Sequence, residues 1–197
     1  MSAPTAAPPG RPRDPQVDRR ILRAALDVFG DSGWAGFAME TVARRAGVGK
    51  ASLYLRWSTK EALLADALAA GLVRVSDVDT GTLRGDLIEL ATQVLDRYTG
   101  PSSRAALRLP LEVGTIAGVA EQYEALRMAQ IVAARAIVRR GIDRGELPAT
   151  VSVTLLLDTL VGGAMMHALS TPADKRGPIP ADAARLVDFL LHTGGNS

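Results

Sequence analysis

The stretch Val42-Ala-Arg-Arg-Ala-Gly-Val-Gly-Lys-Ala-Ser-Leu-Tyr-Leu-Arg-Trp57, continued by Ser58-Thr-Lys-Glu-Ala-Leu-Leu64, decides how this chain folds. Before its glycines, Met39, Val42, Ala43 and Ala46 fall at the i, i+3, i+4, i+7 spacing of one helix face. That spacing predicts a short helix over about Met39 to Ala46. Gly47-Val48-Gly49 then predicts a sharp reversal. Gly47 can take the positive φ that the reversal needs, and Val48 can plug the space between the helices. A third helix is expected from about Lys50 to Trp57, with Leu53 turned inward. Ser58-Thr59-Lys60-Glu61 reads as a capping box, in which Ser58 accepts from the backbone at Glu61 and the Glu61 carboxylate reaches back. It starts a fourth helix reaching about Val75.

The pattern outside this stretch is helical as well. Ile21, Leu22, Ala25, Leu26, Val28 and Phe29 give an apolar face to a first helix over about Val17 to Gly30, ended by Gly30 and Gly33. Asp77 to Gly81 reads as a loop. Helix five is expected over about Leu83 to Tyr98, with Leu87, Leu90, Val94 and Tyr98 on one face, broken by Gly100-Pro101. Helix six covers about Ser103 to Val113, bent near Pro110. Helix seven runs from about Val119 to Arg144 and stops at Gly145, with Pro148 beyond. Helix eight spans about Val151 to Leu169 and helix nine about Ala181 to His192. The expected fold is all-α with about nine helices. An N-terminal three-helix domain over 16–62, whose fourth helix continues to about 75, precedes a second helical domain over 76–197.

Composition narrows the function classes. The chain has 197 residues and no cysteine, so disulfides and thiolate metal sites are excluded and a reducing cytoplasm fits. His167 and His192 are the two histidines, too few for an ordinary histidine-rich metal or catalytic site. No Gly-rich phosphate loop appears, and neither histidine has an evident sequence partner for triad or metal chemistry. An enzyme, a metal site and a cofactor are therefore not expected. Pro4, Pro8, Pro9, Pro12 and Pro15 predict a disordered tail over 1–15, with no apolar signal-peptide core. The apolar stretch Val153 to Leu169 is interrupted by Asp158 and His167, and spanning a bilayer takes about 20 apolar residues. It reads as a buried helix of a cytoplasmic protein that does not engage membranes.

Charge is unevenly placed. Arg11 to Lys60 holds 10 basic and 5 acidic residues, whereas Glu61 to the end holds 13 basic and 16 acidic. A basic N-terminal quarter suggests a polyanion partner. Two short helices joined by a tight glycine turn are the outline of a helix-turn-helix, and an α-helix fits the major groove, where base edges differ. The residues suit the part. Lys50 can reach a guanine edge or a phosphate, and Ala51 can touch a thymine methyl. Ser52 and Tyr54 carry hydroxyls for phosphate oxygens. Arg56 is a charged phosphate clamp. Lys60 adds charge to a helix N-terminus already suited to anions. Trp57 reads as packing. A nonspecific DNA-packaging protein is the competing class, and it predicts basic charge over the whole chain.

The quoted stretch closely resembles the DNA-binding domain of the tetracycline-repressor (TetR) family. Ala46-Gly47-Val48, Leu53-Tyr54 and Lys60-Glu61-Ala62-Leu63 match its most diagnostic positions, and the resemblance covers about Val17 to Ala70. It implies phosphate contacts for Tyr54, Arg56 and Lys60, and positions near base edges or the backbone for Lys50, Ala51 and Ser52. Two residues depart from the pattern. Ala38 stands where the family often has a capping threonine. Glu40 would repel phosphate, and either points to solvent or accepts from a cytosine amino group.

A monomer would read too few bases to be selective, so a homodimer on double-stranded, palindromic operator DNA is expected. Leu155, Leu156, Thr159, Leu160, Gly163 and Met166 form one stripe of helix eight, and Leu186, Phe189 and Leu190 form one on helix nine. Paired across two subunits, these would make a four-helix bundle. The alternative is burial within one subunit. The resemblance also implies a ligand cavity among helices five to seven. Its candidate walls are Leu90, Val94, Tyr98, Leu107, Leu111, Tyr123, Leu126, Gln130 and Met165, with Tyr98, Tyr123, Glu112 and Gln130 as polar groups. The implied function is a repressor released from its operator by a small-molecule effector, with the fourth helix as lever. An activator, or a regulator controlled by a protein partner, of the same fold is the alternative.

Overall fold

The computed structural model describes residues 14–72 and 76–194. Among these lie nine α-helices and no strand: α1 (Pro15–Gly36), α2 (Met39–Ala46), α3 (Lys50–Tyr54), α4 (Lys60–Gly71), α5 (Leu83–Thr99), α6 (Ser103–Glu112), α7 (Ala120–Asp143), α8 (Val153–Ser170) and α9 (Ile179–Gly194). The expected disordered tail lies outside the described residues up to position 13. Asp14 and Pro15 already belong to α1. The Asp14 side chain accepts from the Gln16 amide at 2.9 Å, and Pro15 enters the first turn, where no backbone donor is needed.

Several ends differ from the sequence expectation, each for a local reason. α1 does not stop at Gly30. It kinks at Gly33, whose φ of 67° is left-handed, and a further turn carries it to Gly36. α3 stops at Tyr54 rather than Trp57. The amides of Arg56 and Trp57 both return to the Leu53 carbonyl, which folds these two residues into a turn. Thr59, not Ser58, caps α4: its hydroxyl accepts from the Ala62 amide at 3.1 Å. The cap is therefore a single hydroxyl bond and not the reciprocal box, since Ala62 stands where that box needs Glu or Gln. α4 ends at Gly71, and the expected continuation to Val75 falls partly on 73–75, outside the described residues.

Two apolar interiors result. The first joins α1 to α4, through Ile21, Phe29, Leu53 and Leu63, with α6 and the short turn after it, through Leu109, Val113 and Ile116. The second joins α5, the C-terminal half of α7, α8 and α9, through Leu87, Ile137, Leu160 and Val187. α6 thus packs with the helix-turn-helix although it follows α5 in sequence. Tyr98 touches both interiors.

The loop before α5 is held by charge. Asp86 is fully buried, takes the backbone and hydroxyl of Thr80 at 2.6 and 2.8 Å, and pairs with Arg144 of α7 at 3.2 Å. Arg140, one turn earlier, grips Asp77 and the Val78 carbonyl. α8 is long and apolar enough to cross a membrane by length and composition alone. In the fold it packs on α5 and α9 through Leu156, Leu157, Leu160, Ala164 and Ala168. Its opposite face stays exposed, so it is not the fully buried helix expected.

Candidate nucleic-acid interface and ligand cleft

The helix-turn-helix is built as its residues require. Gly47 adopts φ 66° and ψ 40°, and its amide returns to the Arg44 carbonyl. That conformation strains any residue with a Cβ. Val48 is half-buried against the core, and Leu53 is fully buried, which fixes the roll of α3. Lys50, Ala51 and Tyr54 face outward. No side chain caps α2 at Ala38.

The geometry redistributes the expected DNA contacts. Arg56 is only 15% exposed. Its Nε donates to Asp18 of α1 at 2.5 Å, and its Nη1 to the carbonyl and hydroxyl oxygens of Ser52. The early end of α3 turns it back toward α1, so it braces the recognition helix and is not a free phosphate clamp. Ser52 accepts from Arg56 and keeps its hydroxyl proton to donate. Lys60 lies with Nζ 3.8 Å over the Trp34 ring, at the first turn of α4. The ring supports the charge by a cation–π contact and sets its position. Trp57 packs, and its ring nitrogen donates to Asp66 at 2.8 Å.

Glu40 is exposed to solvent, one of its two expected placements, and its carboxylate is engaged there by a neighbour. It pairs with Lys50 at 2.6 Å across the first turns of α2 and α3. The hydrogen bond from Lys50 holds the Glu40 carboxyl below the usual glutamate range. Leu55, 80% exposed beside Tyr54, went unnoticed in the sequence because Leu in a helical pattern reads as core. Arg19, Arg20, Arg23 and Arg44 add exposed positive charge.

Two adjoining clefts lie beyond the helix-turn-helix, the first of them between α4 and the helices that follow it. One, about 220 Å³, is walled by Ala65, Leu68 and Ala69 of α4, its capping residue Leu72, Leu109 of α6, and Tyr123 and Leu126 of α7. The other, about 420 Å³, lies between α5, α7 and α8, with Leu90, Val94, Tyr98, Leu157 and Val161 on its walls. Arg97, Arg127 and Gln130 line both. Six expected wall residues are therefore brought together: Leu90, Val94, Tyr98, Tyr123, Leu126 and Gln130. Leu107, Leu111 and Met165 are not. Leu111 is 85% exposed, because α6 turns Ala105, Ala106 and Leu109 inward instead. Met165 sits off the inward stripe of α8. Glu112 reaches the DNA-binding half rather than the cleft, accepting from the Trp34 amide at 2.6 Å. The α4 wall was missed, although Leu68 and Leu72 stand one turn apart. Arg97 and Arg127 were missed because charged residues read as solvated faces.

The expected dimer stripe divides. Leu156 and Leu160 are buried inside the subunit. Leu155 is 66%, Met166 58% and Phe189 72% exposed, and Thr159 is exposed too. Gly163, Leu186 and Leu190 are half-buried. A side chain at Gly162 or Gly163 would meet nothing within 4 Å. His167 does find a partner that the sequence hid. It meets the buried Asp182 at 3.3 Å, and Asp182 also accepts from the Gly177 amide and from Arg185, which pins the loop between α8 and α9.

Known proteins share this arrangement. Residues 21–67 match the family model described as bacterial regulatory proteins, tetR family. Residues 77–190 match that of the tetracyclin repressor-like C-terminal domain. The chain is 29% identical over 176 residues to the HTH-type transcriptional regulator AqdR of Rhodococcus erythropolis, covering 89% of this chain and 85% of that one. The crystal structure of MexZ, a repressor of Pseudomonas aeruginosa, has a TM-score of 0.70 at 23% identity, covering 91% and 95%. FadR of Bacillus subtilis, solved with stearoyl-CoA, has a TM-score of 0.61 at 15% identity, covering 88% and 97%. These relatives are regulators rather than enzymes. With a family model matching each half, and a helix-turn-helix whose glycine turn and inward leucine are in place, the chain belongs to the TetR family of helix-turn-helix transcriptional regulators.

Proposed function

We propose that this regulator is a cytoplasmic repressor that binds palindromic operator DNA as a homodimer and is released by a small molecule. The observation that carries this reading is the double duty of α4. Its first residue, Lys60, lies over Trp34 of α1 and the helix packs along α1 in the DNA-binding half, while Leu68 and the capping Leu72 at its far end wall the smaller cleft. Twelve residues at 1.5 Å each make a rod of about 18 Å. A ligand that needs α4 displaced favours a form in which the two recognition helices miss half-sites about 34–36 Å apart. By linkage, operator must weaken the ligand by the same factor. That a neighbour in fold, FadR, was solved with stearoyl-CoA supports a cleft able to take a ligand.

The test is binding of the full chain to DNA from upstream of its own gene, at near-physiological salt, with random DNA as competitor. Binding should survive the competitor and fall at least about tenfold when Tyr54 and Lys60 both become alanine, since each charged or polar phosphate contact adds affinity. Binding that the competitor abolishes at every candidate site would sink the repressor reading and favour a nonspecific binder.

Glu40 sets a second expectation. A Glu40→Gln variant removes one negative charge from the DNA face and frees Lys50 from its partner. Affinity for random DNA should rise severalfold, and the slope of log affinity against log salt should steepen by about 0.9, the value for one further phosphate. Fluorescence anisotropy at several salt concentrations measures both. An unchanged slope would mean that Lys50 does not reach phosphate.

A further inference from the structure

The two clefts meet at a polar junction whose chemistry is unbalanced. Arg97 reaches it from α5, and Gln130 and Arg127 from α7. The Gln130 side-chain oxygen accepts from Arg97 at 3.3 Å. Its Nε2 is buried and finds no hydrogen-bond partner among the described residues. Glu124 holds Arg127 by two bonds, at 2.6 and 2.8 Å. Among the described residues, no carboxylate lies within ion-pair distance of Arg97. Donors are thus in surplus over acceptors.

The other charged groups do not cancel this. Arg135 stands on the wall of the larger cleft and donates to the Thr154 hydroxyl. Asp158, on α8, is the acidic residue lining that cleft. Tyr123 is half-buried beside the junction. Burial pushes its phenol above the ordinary value, while Arg97 and Arg127 pull the other way, so both guanidinium charges reach it. It stays protonated at neutral pH and is a further donor. The walls beyond the junction are apolar on both sides: Leu68, Leu72 and Leu126 toward α4, Leu90, Val94 and Leu157 toward α8.

We infer that the effector is a small amphipathic carboxylate, its carboxylate group seated on Arg97 and the Gln130 amide and its apolar body in the adjoining lobes. The assignment rests on the effector reading above. A carboxylate offers two coplanar acceptor oxygens, which fit the guanidinium fork and leave an oxygen for the Gln130 amide. An amine would meet Arg97 and Arg127 with like charge. A purely apolar ligand would leave the Gln130 donor buried without an acceptor. The carboxylate would also bring charge from water into a partly apolar site, which only a paired cation and hydrogen bonds offset. Arg97 supplies the cation. Cleft volumes of about 220 and 420 Å³ suit a molecule of this size.

Calorimetric titration of the full chain tests this with octanoate and 4-phenylbutyrate, each beside the corresponding amide and amine. At least one acid should bind, tenfold or more tighter than its amide, with the amine weaker still. Arg97→Gln should cost that acid tenfold or more and erase most of its preference over the amide. Arg97→Lys should restore part of the loss, with an unchanged helical circular dichroism spectrum for both variants. The inference is overturned if neither acid binds, if an amide or amine matches its acid, or if Arg97→Gln leaves acid affinity intact. A Leu126→Trp variant separates this failure from failure of the effector reading. It fills the lobe against α4, and should weaken operator binding at least severalfold with no ligand added. If it folds normally and binds operator as before, cleft and DNA interface are uncoupled, and the effector reading falls together with the carboxylate assignment. If operator binding weakens while the acids fail, only the assignment falls.

Discussion

A Glu112→Ala variant should unfold about 1.5–3 kcal/mol more easily than the parent chain in urea, the range for hydrogen bonds to a charged group. Glu112 ties α6 to the kink of α1, within the interior those helices share. One carboxylate oxygen accepts from the Trp34 amide at 2.6 Å and the other from Arg108 at 3.0 Å. Arg108, one turn earlier on α6, donates to the carbonyls of Gly30 and Asp31. The pair thus serves both kinds of backbone group that the kink in α1 leaves without helical partners. Gly33, at the kink, faces the same carboxylate: a Cβ there would stand 2.7 Å from Oε1 and 2.8 Å from Arg108 Nη1. Gly33→Ala should therefore destabilise as well, from its left-handed φ and from displacing Glu112.

The acid limb of stability gives the sign. The bond from the Trp34 amide, with Arg108 behind it, holds the Glu112 carboxyl below its ordinary value of 4.5, against an opposing pull from burial. A depressed carboxyl contributes stability that is complete above the unfolded value and is lost as pH falls through the folded one. The parent should lose stability below about pH 4.5 more steeply than Glu112→Gln, which is neutral throughout. A loss under about 0.5 kcal/mol for Glu112→Ala at pH 7, below the usual worth of one hydrogen bond, would show that water replaces the carboxylate and that the contact does not fasten α6 to the α1 kink.

How far the sequence could be read depended on the distance over which each feature is decided. The Gly47 turn, the inward Leu53 and the helical register of α2 are set within a few residues, and they were legible. Arg56 was not, because its partner Asp18 lies 38 residues away and nothing in the local pattern of α3 points to it. Glu112 was further out of reach, since the amide it serves lies 78 residues back and belongs to Trp34, whose backbone has no sequence signature. α8 failed for a different reason. It is apolar nearly all round, so its periodicity does not say which stripe faces the subunit's own core. Leu156 and Leu160 were grouped with Leu155 on that account, and packing against α5 and α9 separated them. The cleft was half legible: apolar wall residues could be named from their spacing, but the arginines at its junction lie between helices whose crossing only the fold determines.

That separation defines the second large effect. With Leu156 and Leu160 turned inward, the outer face of α8 and α9 presents Leu155, Met166 and Phe189, with Gly162 and Gly163 leaving room for a close helix between them. In a two-fold dimer each residue acts twice, because the same patch is used by both subunits. Burying one Leu or Phe side chain stabilises by about 1.5–3 kcal/mol, so in the proposed dimer Leu155 and Phe189 together would supply on the order of 6–12 kcal/mol. Replacing both with glutamate removes this and places four like charges on the shared surface. The Leu155→Glu, Phe189→Glu variant should run as a monomer in sedimentation velocity at micromolar concentration, with its helical circular dichroism unchanged, since both side chains sit outside the subunit core. Operator affinity should fall at least about a thousandfold, toward nonspecific binding, because one recognition helix then reads one half-site without the second. The two readouts constrain each other. A monomer that still bound operator at parental strength would mean that dimerisation does not supply the specificity. A variant that stayed dimeric would place the interface elsewhere and leave the exposed face of α8 to another role.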